Sequence, residues 1–137
     1  METEITCIDI YGNEIKANYK IFEVENNYGL RKLEFRTYLP GDKEEVWFDF
    51  KIALIDNSII KVTDMFIGKE EHRMKGIPEA LILEVKRLYN KKVISSSNKK
   101  PIILSEWRRI EADKVWKRLV RLNKAKYDEL NDIYELL

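Results

Sequence analysis

The stretch that most constrains the fold is residues 59–90, IIKVTDMFIGKEEHRMKGIPEALILEVKRLYN, where an apolar strand passes through a short basic turn into an amphipathic helix. The strand is expected over 59–67. Ile60, Val62 and Phe66 stand on one face and Ile59, Met65 and Ile67 on the other, the pattern of an interior strand covered on both sides. Gly68 ends it. Leu81, Val85 and Leu88, flanked by Ile82 and Tyr89, recur at helical period. Pro78 suits the first helical position, where its missing N–H has no intrahelical partner to lose and its φ is already helical. Glu79 then sits at the positive end of the helix dipole. Such a junction leaves first-turn N–H groups pointing outward, and Arg73 and Lys75, with His72 beside them, add positive charge. The site is a candidate for anion binding; the alternative is ordinary solvated charge.

The preceding residues read as an antiparallel meander. Segments 4–10, 14–24, 31–39 and 45–55 alternate, separated by Tyr11-Gly12-Asn13, Asn26-Asn27-Tyr28-Gly29 and Pro40-Gly41-Asp42. No helical period occurs between Tyr11 and Val46. After the first helix, 92–97 (KVISSS) reads as a short strand. A second helix is expected within 105–122, with Ala112, Val115, Trp116, Leu119 and Leu122 as its apolar stripe and Ser105 as N-cap. Residues 125–129 and 132–137 close the chain as a hairpin. The expected fold is one α+β domain: a mostly antiparallel, twisted sheet of about seven strands with two principal helices.

Charge narrows the function classes. Lys and Arg number 25 against 24 Asp and Glu, a net charge of +1, so no global basic surface argues for nucleic acid. A lone Cys7 excludes an internal disulfide, and with a lone His72 it excludes the usual Cys/His zinc site. With no signal peptide and no apolar run near the roughly 20 residues that span a bilayer, a cytoplasmic protein without membrane contact is expected.

Arg73-Met74-Lys75-Gly76-Ile77-Pro78, followed by Glu79-Ala80-Leu81-Ile82, resembles the pyrophosphate-binding motif of the GNAT acyltransferase superfamily: Arg or Gln, two residues, Gly, one residue, then Gly or Ala, opening a helix. The resemblance covers the chain from Ile59 onward. It implies acetyl-coenzyme A as cosubstrate, its pyrophosphate held by the N–H groups of Met74, Lys75, Gly76 and Ile77 and by the Arg73 side chain. The thioester would lie between strands 59–67 and 92–97, beside Met65, Phe66, Ile67 and Ser95. Pro78 departs from the motif and removes one N–H. On the second helix the family's Asn, two residues, Ala, three residues, Tyr frame falls on Arg109, Ala112 and Trp116. Ala112 matches. Trp116 can contact the cofactor, but an indole N–H cannot protonate a departing thiolate, which leaves Tyr127 or Tyr134 as candidate acids. Asp64, the only carboxylate within 59–67, is the candidate base, its pKa raised if buried. The helices that the family places after its first strand are missing, so the acceptor side is reduced. The spacing from Trp116 to Tyr134 is similar to that of small phage-associated members. The implied activity is acetyl transfer to an unidentified small-molecule or protein amine. The alternative is a non-catalytic module on the same fold, using the basic residues of 86–100 and Arg108-Arg109 for a protein or nucleic-acid partner.

Overall fold

The computed structural model describes residues 2–24, 29–99 and 108–137. Five strands come first: β1 (Thr3–Ile8), β2 (Glu14–Val24), β3 (Arg31–Tyr38), β4 (Phe48–Leu54) and β5 (Ile59–Phe66). They are followed by α1 (Ile77–Tyr89), β6 (Lys92–Ser95), α2 (Ile110–Arg121), β7 (Ala125–Asp128) and β8 (Ile133–Leu136). All eight strands form one sheet in the order β1-β2-β3-β4-β5-β6-β8-β7. The sheet thus has eight strands where about seven are expected. The turn at 25–28, the Ser105 cap, Glu106, Trp107, Lys100 and Pro101 lie outside the described residues.

Strands β1 to β5 pair antiparallel, as short polar turns dictate. Only β5 and β6 run parallel, because a chain that returns in the same direction needs a crossover, and α1 supplies it. No helix of the described residues is long and apolar enough to cross a membrane.

Both helices pack on the sheet face that carries Phe35, Phe50, Ile60 and Val93, all fully buried, and they touch each other. Leu81, Ile82 and Val85 of α1 and Trp116 and Leu119 of α2 complete this core. Each such side chain contributes about 1.5–3 kcal/mol by leaving water. Tyr19 of β2 donates a 2.6 Å hydrogen bond to Glu84 of α1, and Arg87 clamps the same carboxylate.

The pairing of β4 with β5 corrects the expected faces of the central strand. Lys51 lies opposite Asp64 and Ile52 opposite Val62, so Thr63 is an extra, bulged residue. One extra residue reverses the in–out alternation beyond it. Met65, opposite Phe50, therefore joins Ile60 and Val62 on the helix-covered face, while Asp64 and Phe66 turn to the other side. That second side is not apolar, and neither helix packs on it. It carries its own ion pairs instead: Lys32 with Asp64 at 2.9 Å, Lys51 with Asp49 at 3.2 Å, and Arg36 with Glu34. The Arg36 guanidinium sits between the rings of Phe22 and Trp47, 4.2 and 4.3 Å from their centroids.

Helix α1 begins at Ile77, which makes Pro78 its second residue rather than its first. The cause is Gly76, the N-cap, which takes a left-handed φ of 75° and turns the chain one residue earlier. A Cβ there would stand 2.0 Å from the Ile8 carbonyl oxygen. The Ile10 N–H donates to the Met74 carbonyl at 3.2 Å beside this contact. The loop before α1 is thus pressed, backbone on backbone, against the end of β1.

Gly76→Ala is expected to cost about 2–5 kcal/mol, combining the left-handed penalty with the clash. Gly12 also has a positive φ but faces open space, so Gly12→Ala should cost only about 1–2 kcal/mol. Equilibrium urea unfolding compares them; equal losses would mean that the approach to Ile8 carries no weight.

Candidate functional site

A cleft of about 650 Å³ opens between the loop before α1, the end of β5 and one side of α2. Met65, Phe66, Ile67, Arg73, Met74 and Gly76 line it, six of the residues that the sequence singles out. Helix α2 adds Arg109, Lys114, Lys117, Arg118 and Arg121, against the acidic Glu79 and Glu111, so the walls carry an excess of positive charge. At the head of the cleft α1 has no side-chain cap. Among the described residues, the N–H groups of Met74, Lys75 and Gly76 meet no acceptor, while that of Ile77 is sealed in the core. This is the arrangement that favours an anion. Arg73 reaches Glu70 at 2.9 Å on the surface, and Arg109 lies over the Phe66 ring at 4.9 Å.

A second, smaller opening adjoins the first. Strands β5 and β6 pair only from Ile59 and Lys92 to Val62 and Ser95. Beyond that point β5 runs on through Thr63, Asp64, Met65 and Phe66 without a β6 partner. The strands part there, and the Ser96 hydroxyl donates across the split to the Val62 carbonyl at 3.1 Å. The void behind it, about 20 Å³, has room for one water and is lined by Thr63, Asp64, Ser96, Ala112 and Trp116, among others.

Not every predicted residue reaches these openings. Ile77 is fully buried, main chain included, and Lys75 lines neither opening, so the fold brings neither of them to the cleft. Ser95 is buried and committed, donating to the Ser96 carbonyl and accepting the Tyr134 N–H, each at 2.9 Å. Trp116 touches the void but is 1% exposed and stacks on Tyr134, which makes it core first. Asp64 borders the void with its carboxylate bonded to Lys32 and to the Thr63 hydroxyl, both at 2.9 Å. Tyr127 is not brought to the site: β7 is the outermost strand, with β8 between it and β6. Its hydroxyl donates to Asp132 at 2.7 Å, and that bond, ahead of partial burial, pushes its pKa up. The Tyr134 hydroxyl is taken by Asp113 at 3.2 Å.

His72 is not a charge beside the anion site. It is 1% exposed, and its Nδ1 accepts the Gly68 N–H at 3.0 Å, which puts the ring proton on Nε2. Nε2 in turn donates to Asp42 at 2.8 Å. Asp42, fully buried, also receives the Lys69 ammonium and the Leu39 N–H. The three residues latch the β3–β4 loop to the loop before α1. Cys7 is buried in the core, and burial, with a contribution from Glu79, pushes its thiol up to about 11, so it is no partner for His72 in nucleophilic chemistry.

Arg108, read from the sequence as a basic residue for a partner, is instead buried and paired. Its side chain is 6% exposed and bonds Asp113 and Asp132 at 2.9 and 2.6 Å and the carbonyls of Ser96 and Asp132 at 2.9 Å. It ties the end of β6 to α2 at the floor of the split. An Arg-Arg pair in a basic run gives no signal that one of the two is buried. A scan against family models and searches of curated proteins and of solved structures return no match to this chain.

The Asp42 latch has a pH signature. Burial opposes its charge, but Lys69, His72 and the Leu39 N–H together hold its pKa below the ordinary 3.8. Its contribution to stability is complete above that value and is lost as pH falls through the folded-state pKa. Asp42→Asn is expected to cost about 1–3 kcal/mol at neutral pH and to flatten the acid limb of the stability profile below about pH 4. Parallel acid limbs for the two proteins in urea titrations would show that the carboxylate is not held ionised.

Proposed function

We propose that the chain binds acyl-coenzyme A in the basic cleft and acts as an N-acyltransferase of the GNAT kind, moving an acetyl group from acetyl-coenzyme A to an amine. The observation that carries this reading is the parting of β5 from β6 beside a loop, Met74 to Gly76, whose N–H groups make no hydrogen bond among the described residues. An extended thioester arm needs such a slot, and its phosphates need such N–H groups. The element order supports it too. A meander, a crossover helix, a strand, a second helix and a final hairpin whose last strand pairs β6 is the family's arrangement without its early helices.

In this reading the N–H groups of Met74 to Gly76, with Arg109 and Lys114, hold the phosphates. Met65, Phe66 and Ile67 flank the arm. Bound acetyl-coenzyme A supplies the activated acyl group. The chain's own contribution is positioning, together with the main-chain groups of β5 that face the split. One well-placed N–H on a developing oxyanion is worth about 3 kcal/mol. A second reading, cofactor binding without transfer, is favoured by the engagement of Asp64 with Lys32 and of Tyr127 with Asp132.

Thermal unfolding with acetyl-coenzyme A tests the site. At about a hundred times its dissociation constant the ligand should add about 2.7 kcal/mol, which raises the Tm of a chain this size by several degrees. The double variant Arg109→Glu, Lys114→Glu is expected to remove the rise. No shift at millimolar ligand would sink the reading, while a shift without acetyl transfer to a panel of amines would leave the binding protein.

A further inference from the structure

Of the two carboxylates that line the cleft, Glu79 and Glu111, Glu79 stands at the start of α1, where an anion site does not call for one. Glu79 is the third residue of α1, at the positive end of the helix. The side chain is only 16% exposed. Among the described residues its one charged partner, Arg118 Nη1 of α2, stands at 3.6 Å, beyond good hydrogen-bond length. Arg118 spends its other terminal nitrogen on the Asp9 carbonyl, at 3.1 Å. The Cys7 thiol of β1 is close enough to feel the carboxylate. Burial raises the pKa of Glu79 in spite of its own N–H and Arg118. A largely desolvated carboxylate with one long ion pair therefore stands at the α1 N-terminus, on a cleft wall lined mainly by cations.

We propose that Glu79 is an internal competitor for phosphate: in the free protein its carboxylate holds the head of the cleft, and a phosphate-bearing ligand must displace it to engage the α1 N-terminus and Arg118. The inference rests on reading the cleft as an acyl-coenzyme A site and adds the residue that sets its phosphate affinity. Displacement is local. The carboxylate rides on a side chain with three rotatable bonds, and leaving Arg118 breaks no full hydrogen bond. Glu79 thereby discriminates between ligands that present enough phosphate charge to expel it and ligands that do not.

Glu79→Gln keeps the side chain's size and removes its charge, and Glu79→Ser serves if that variant folds poorly. Isothermal titration calorimetry with coenzyme A, inorganic pyrophosphate and pantetheine reads the effect. The neutral variant should bind coenzyme A and pyrophosphate about tenfold more tightly than the natural protein, the scale of one like-charge contact removed from a partly buried site. Pantetheine, which has no phosphate, should bind both equally. Equal coenzyme A affinities overturn the competitor role and leave the cleft reading standing. A gain for pantetheine as large as that for pyrophosphate also overturns it, since the cleft would merely have been enlarged. Failure of every protein to bind any of the three overturns the cleft reading, and this inference with it.

Discussion

Gly76 meets the carbonyl of Ile8 at a distance that leaves no room for a side chain, and much of the molecule's arrangement follows from that contact. It seats the loop before α1 on the end of β1, where the Ile10 N–H and the Met74 carbonyl close a second link. Helix α1 then starts over the buried face of the sheet and delivers the chain to β6, the only parallel neighbour β5 has. Where β6 is delivered decides where the two strands part. The split, the cleft beside it and the uncapped helix start are consequences of one backbone approach, reinforced at the other end of the loop by the Asp42–His72–Lys69 latch.

Charge is segregated rather than abundant. A net charge of +1 conceals two surfaces of different character. On the sheet face that neither helix covers, Lys32, Glu34, Asp49, Lys51 and Asp64 neutralise one another across neighbouring strands. In the cleft, α2 contributes cations that exceed the available carboxylates. A long polar side chain on a sheet finds an opposite charge about one strand spacing away, whereas cations along one side of a helix face the void between elements. That geometry gives the cleft a potential that composition does not reveal.

Periodicity and turn chemistry made most of the architecture legible. The meander, the crossover helix, the second helix and the closing hairpin all follow from alternation of period two, apolar stripes of period 3.6 and Gly- or Asn-centred turns. The illegible parts share a cause. The bulge at Thr63 arises from the pairing of two strands, so the turning of Asp64 and Phe66 to the far face is not written in β5 alone. The burial of Arg108 and His72 depends on partners 24 and 30 residues away in the chain, Asp132 and Asp42. Tyr127 reads as a candidate acid until sheet order places β8 between its strand and β6.

The linear sequence by itself determined the element types, their order, and the glycine-containing turn that opens α1, because these depend on local sterics and on the spacing of apolar residues. Only the tertiary structure decided which charges are spent and which are free. Asp64, Tyr127, His72 and Lys117 are engaged by neighbours, whereas Arg109, Lys114 and Arg121 line a common void. The physical reason is that an ion pair or hydrogen bond falls off within a few ångströms, and which groups come that close is set by strand register and helix placement rather than by proximity along the chain.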